Sequence, residues 1–196
     1  KEKNKFKVLG STVDDAAGEA FDKVAKMLGL SYPGGPEISK YAEKAKKKKG
    51  FKDYNFPRPM INAKNFDFSF AGLKTAVLYK IRDEKLNLKD IQIKANLAYS
   101  FQEAVVDVLV TKTMRAVKKY KTKSITLSGG VAANKLLRKK LALVSRKMKK
   151  KFYVPDFSLC TDNALMIANA AAIKVQGDFK PVMYTKIKVD PQLGLK

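Results

Sequence analysis

Apolar residues recur at helical spacing through the first two thirds of the chain. Ala17, Phe21, Val24 and Leu28 fall on one face of a predicted helix that Asp14 or Asp15 can cap and Gly29 ends. A polar face of the same helix carries Asp15, Gly18, Glu19 and Asp22. Tyr32-Pro33-Gly34-Gly35-Pro36 reads as a rigid turn of two prolines around two glycines. A second helix is expected to follow it to about residue 49, then a loop over 51–66, then a helix from about 70 to 84. The longest periodic pattern covers 90–120, with Ile93, Leu97, Phe101, Ala104 and Val108 on its face, continued by Leu109 or Lys112.

Beyond residue 120 the pattern changes. Residues 124–127 and 152–154 read as strands, with a helix over about 131–148 between them. A small-residue helix is expected over 162–175, and its many alanines suit close packing. Residues 6–9 look like the end of a strand whose neighbours are missing, and 182–189 are strand-like. Helices first and then β-α-β-α predict an α/β core with a helical insertion. Residues 1–122 would form the mainly helical part and 123–196 the α/β core, too short in strands for a complete doubly wound sheet.

The net charge of +23 adds an attraction for polyanions such as RNA or DNA, although a lysine-rich proteome would give the same excess. The lysine runs at 46–49 and 147–151 read as solvated helix ends. With no histidine, neither a Ser-His or Cys-His pair nor a histidine-ligated metal can be assembled from this chain alone. A single cysteine, Cys160, excludes an internal disulfide and fits a reducing, cytoplasmic setting. It is expected to be a small buried hydrophobe. No apolar run approaches the roughly 20 residues of a membrane span, so no membrane partner is expected.

Ser128-Gly129-Gly130 lies between a predicted strand and a predicted helix. That layout exposes backbone N–H groups at a helix N-terminus, a seat for a phosphate or carboxylate.

Four segments together carry a resemblance. They are Asp14-Asp15-Ala16-Ala17-Gly18-Glu19-Ala20-Phe21-Asp22-Lys23, Tyr32-Pro33-Gly34-Gly35-Pro36, Phe68-Ser69-Phe70-Ala71-Gly72-Leu73-Lys74-Thr75, and the pair formed by 129–134 and Cys160-Thr161-Asp162-Asn163. Over about residues 8–175 the chain resembles the C-terminal lobe of the tRNA adenosine threonylcarbamoyltransferase family, long labelled glycoprotease or O-sialoglycoprotein endopeptidase. The resemblance implies an actin, sugar-kinase and heat-shock ATPase-like lobe with an RNase H-like core. It implies transfer of a threonylcarbamoyl group from threonylcarbamoyl-adenylate to N6 of the adenosine beside the tRNA anticodon. It also implies one divalent metal ion, iron or zinc, and accessory subunits as partners besides tRNA.

Carried over on this resemblance, Asp22, Gly35 and Asn134 match substrate-contacting positions, and Asp162 matches a carboxylate metal ligand. Asp22 could accept hydrogen bonds from ribose hydroxyls, or it and Glu19 could simply pair with Lys26 and Lys23. Gly35 would let the backbone approach a nucleotide, or serve the turn alone. Asn134 offers both donor and acceptor at a helix start, beside Gly129 and Gly130. Asp162 could equally be an N-cap.

The pattern is broken in places. The family's other metal ligands, two histidines four apart in the N-terminal lobe, have no counterpart here, nor has its Gly-rich substrate loop. One carboxylate does not hold a transition metal, so the chain alone is expected to have a negligible metal site and to be inactive. Ser39 stands where the family usually has an acidic residue that assists nucleotide binding, and Ala71 where serine is common. The expected function is therefore the C-terminal part of the transferase. The alternative is a non-catalytic RNA- or partner-binding module that keeps the fold; the peptidase label finds no hydrolytic constellation.

Overall fold

A computed structural model describes residues 6–47, 49–176, 183 and 185. Four helices come first: α1 (Ala17–Met27), α2 (Gly34–Ala45), α3 (Ala71–Asp83) and α4 (Ile91–Tyr120). Then β1 (Ser124–Thr126), a 3-10 turn (Gly130–Ala133), α5 (Lys135–Lys147), β2 (Lys151–Tyr153), a second 3-10 turn (Phe157–Leu159) and α6 (Ala164–Val175) follow. The strands pair in parallel, Ile125 opposite Phe152, as two strands joined by a crossover helix do. The chain is thus mixed α/β and mainly helical, with a small parallel sheet.

The periodic face of α4 organises the core. Its first half, with Leu97, Phe101, Ala104 and Val108, packs with Phe21, Val24 and Leu28 of α1, Ile38 of α2, and Leu73 and Val77 of α3. Its second half, with Val106, Val110, Met114 and Val117, packs with Ile125 of β1 and with Leu137 and Leu141 of α5. One long helix therefore belongs to both clusters. Asp90 starts it, its carboxylate accepting from the Gln92 backbone N–H at 2.6 Å.

Of the two candidates at the end of that face, Lys112 is fully buried and Leu109 only partly. The Lys112 ammonium donates to the backbone carbonyl of Asp67 and lies 5.8 Å from the Phe68 ring centroid. Burial lowers its pKa. One turn on, Arg115 donates to the carbonyls of Ile61 (3.2 Å) and Asn65 (2.7 Å). Two cations on α4 thus satisfy the carbonyls of an irregular loop that has no ladder of its own.

Several local expectations are corrected. Residues 6–9 form no strand; the nearest ladder element is a lone parallel bridge between Thr12 and Phe68. A strand exists only against a partner, and residues 6–9 join no ladder with a described segment. The Pro-Gly-Gly-Pro segment is not a turn before α2 but its start, with Pro33 at the N-cap and Pro36 in the first turn, where a missing N–H costs nothing. That helix ends at Ala45 rather than near 49. The helix expected from 131 begins at Lys135, because residues 130–133 form the tighter 3-10 turn. Helix α6 is exposed at every position whose side chain is described, against the close packing its alanines suggested. The strand expected over 182–189 lies outside the described residues, apart from Met183 and Thr185, which are not in a strand.

Neither Asp14 nor Asp15 caps α1, whose N-cap is Ala16. Asp14 instead reaches the start of α3, accepting from the backbone N–H of Phe70 (2.8 Å) and Ala71 (3.2 Å) and from the Ser69 hydroxyl. Burial pushes its pKa up, but these three donors outweigh it and leave the carboxyl below its ordinary value. Asp15 is held low first by the hydrogen bond from Lys23 and then by Lys74. A lowered carboxyl stabilises the fold above its unfolded pKa, and that contribution fades as pH falls through the folded value. Asp14→Ala is therefore expected to cost about 1–2 kcal/mol in urea unfolding at pH 7. Variant and wild type should converge below the ordinary value of 3.8, as the folded carboxyl takes up its proton. An undiminished difference at pH 2 would refute the capping role.

Candidate nucleotide-binding cleft

A cleft of about 950 Å³ opens between α1, the start of α2, the 3-10 turn before α5 and the turn after β2. Asp22, Gly35, Ser39, Gly130 and Asn134 all border it, although over a hundred positions separate the first from the last. Gly129 stands beside it at φ 84°, ψ 171°, a conformation reserved in practice for glycine, and so reverses the chain after β1. Asp162 is exposed and follows Thr161, which does border the cleft. The cap of α6 is Asn163, whose Oδ1 accepts from the Met166 N–H at 2.9 Å, so Asp162 is free of the N-cap role.

Each of these side chains has a structural duty as well. Asp22 Oδ1 accepts from the Gly34 backbone N–H at 2.7 Å and thereby seats α2 on α1. Glu19, by contrast, pairs with Lys23 at 2.7 Å, as its spacing suggested. Asn134 is the N-cap of α5: its Oδ1 accepts from Leu137 N–H at 2.9 Å. Its Nδ2 donates to Gln102 Oε1 (2.8 Å) and to Ser39 Oγ (3.2 Å). The Ser39 hydroxyl donates to the same Gln102 oxygen at 2.8 Å.

The two glycines of α2 differ in what they do. A Cβ on Gly34 would stand 2.6 Å from the Ala25 Cβ, 2.7 Å from the Asp22 Cα and 2.9 Å from the Phe21 carbonyl oxygen. A Cβ on Gly35 would meet nothing within 4 Å. Gly34 thus serves packing, while Gly35 leaves open space at the cleft, where a ligand can approach the backbone.

Sequence reasoning missed several residues here. Phe157 borders the cleft, 54% exposed, and the Arg138 guanidinium lies 3.9 Å from its ring centroid. Arg138 also donates to the carbonyl of Pro155 (2.7 Å) and to Cys160 Sγ (3.0 Å), so it anchors the turn that presents Phe157. Its signal was available: it stands one helical turn beyond Asn134. Tyr32 is 84% exposed at the rim, and Lys40 and Lys135 bring positive charge to it. Lys140 pairs with Asp107 at 2.7 Å and with Glu103, tying α5 to α4 behind the cleft. The arrangement offers exposed aromatic faces, hydrogen-bonding groups and flanking cations, which suits a nucleotide.

A divalent metal fits less well. Among the described residues no group of three or more His, Cys, Asp or Glu side chains could hold an ion. Asp162 alone supplies too few donors. Among the described residues, too, no helix is long and apolar enough to cross a membrane.

Comparison with known proteins identifies the family to which the chain belongs. The chain is 50% identical over 183 residues to the tRNA N6-adenosine threonylcarbamoyltransferase of Francisella philomiragia, covering 92% of this chain and 52% of that protein. It is 52% identical over 170 residues to the protein of that name in Thermosipho africanus (87% and 49%). For the Ralstonia pickettii protein of the same name the identity is 51% over 177 residues (88% and 49%). The chain therefore spans about half the length of the curated relatives it matches. The family model for tRNA N6-adenosine threonylcarbamoyltransferase matches residues 1–169. On these matches, the chain belongs to the tRNA N6-adenosine threonylcarbamoyltransferase family.

Proposed function

We propose that this chain forms the C-terminal, nucleotide-holding part of a transferase that moves a threonylcarbamoyl group from threonylcarbamoyl-adenylate to N6 of an adenosine in tRNA. The observation that carries the reading is the convergence of Asp22, Gly35, Ser39, Gly130 and Asn134 on one cleft. The ribose would meet Asp22 and Ser39, and the base an exposed aromatic face such as Phe157. The phosphate would approach Gly130, near Lys135. Because the adenylate is already activated, the protein's task is positioning and charge stabilisation; the attacking amine displaces AMP at the carbamoyl carbon.

The lobe would belong to the actin and sugar-kinase class, completed by a second lobe outside this chain. The transfer itself, the accessory subunits and a divalent metal, iron or zinc, belong to that complete protein. Asp162 would lend one carboxylate to a metal whose remaining ligands lie elsewhere. On this reading the chain by itself binds nucleotide but does not transfer.

Asp22→Asn keeps the oxygen that receives the Gly34 N–H while removing the charge. Placed in the complete protein, it is expected to lower N6-threonylcarbamoyladenosine in tRNA by about tenfold or more, read by nucleoside mass spectrometry. Unchanged modification would overturn the site. Absence of the modified nucleoside with the complete wild-type protein would instead favour the non-catalytic RNA-binding reading, to which the charge of +23 points.

A further inference from the structure

We infer that Gln102 sets the hydrogen-bond polarity of the cleft, turning the Ser39 hydroxyl into an acceptor that selects a ligand hydroxyl. The inference rests on the nucleotide reading above and names what recognises the ribose.

The polarity follows from one fixed donor. A backbone N–H can only donate, so the Leu137 N–H at 2.9 Å identifies the Asn134 atom it meets as Oδ1. The other end of that amide is then Nδ2, which can only donate. It lies 2.8 Å from the Gln102 side chain, so the atom it meets there must be Oε1. Ser39 Oγ is 2.8 Å from the same oxygen, which has no proton to give. The serine proton therefore points into the protein. The second Asn134 proton goes to Ser39 Oγ at 3.2 Å and occupies one lone pair. What remains for the cleft is the other lone pair.

A serine hydroxyl would otherwise rotate to suit either a donor or an acceptor. Here it offers a ligand only acceptance, which is what a carboxylate would offer. The resemblance places an acidic residue at this position, and the relay from Leu137 through Asn134 and Gln102 gives serine the same sign. It also accounts for a buried glutamine, 6% exposed, on the apolar face of α4. Gln102 does not border the cleft, so it is a positioning residue that acts through Ser39.

The test titrates AMP, 2′-deoxy-AMP and 3′-deoxy-AMP into the chain by calorimetry, for wild type, Ser39→Ala, Gln102→Leu and Gln102→Glu. Wild type should prefer AMP over one deoxy analogue by about three- to tenfold, the worth of one hydrogen bond. In Ser39→Ala that ratio should fall to about one, and in Gln102→Leu, where the freed hydroxyl must be oriented as the ligand binds, it should fall part of the way. Gln102→Glu keeps the accepting oxygen and should keep the ratio. Binding with an unchanged ratio in Gln102→Leu overturns this inference alone; no binding of any nucleotide by wild type overturns the nucleotide reading with it. Should Gln102→Leu fail to fold, hydrogen exchange in the unliganded wild type decides. Both Asn134 side-chain amide protons should be protected, and fast exchange of both refutes the relay.

Discussion

Gly34→Ala should destabilise the chain by about 3 kcal/mol, and Gly35→Ala, one residue on, should leave stability within about 0.5 kcal/mol of wild type. At Gly34 the new methyl meets the Asp22 Cα and the Phe21 carbonyl, both backbone atoms of a packed helix that cannot swing aside. Relief requires α2 to lift from α1, which also stretches the 2.7 Å hydrogen bond from the Gly34 N–H to Asp22. At Gly35 the methyl enters open space, and alanine's better helix propensity offsets any small loss. The Gly35 variant should instead weaken nucleotide binding, because its methyl projects where the ligand would approach. Urea unfolding and AMP titration of both variants check this. Equal stability of the two would refute the assignment of packing to one glycine and ligand access to the other.

Phe101→Ala should cost about 4 kcal/mol, the largest loss expected from a single side chain here. Phe101 is fully buried on α4 and meets Phe21 edge to face, with ring centroids 5.2 Å apart. Phe21 also borders the cleft and precedes Asp22 in α1. The cavity would therefore open directly behind the site, and AMP affinity should fall together with stability. Phe101→Leu should retain most of both, at about 1.5 kcal/mol. By contrast, Ile167→Ser on α6, where the side chain is 63% exposed, should change stability by less than about 0.5 kcal/mol. A Phe101→Ala loss as small as the Ile167→Ser loss would mean that the α1–α4 core is not where the stability lies.

The elements that periodicity made legible are those whose information is local. An apolar residue every third or fourth position specifies α1, α3 and α4 whatever lies across from them, and short β-branched or aromatic runs specify β1 and β2. The absence of histidine and the charge of +23 needed no structure either. The motif segments were legible as a set, and the family match over residues 1–169 bears out the resemblance they carry.

Tertiary structure decided which donor meets which acceptor. Asp14 could have capped the helix that follows it; it caps α3, 56 residues on, because packing brings that N-terminus within 2.8 Å. Nothing local separates Gly34 from Gly35; only the approach of α1 makes one of them obligatory. Residues 6–9 have the composition of a strand and form none, since a strand is a property of two segments and not of one. Gln102 reads as one polar residue on a long helix until Asn134 and Ser39 meet it from 32 and 63 positions away. Propensity and periodicity act between near neighbours in the chain and are written there. Hydrogen-bond polarity, steric approach and cleft shape act between near neighbours in space, and folding alone determines which residues those are.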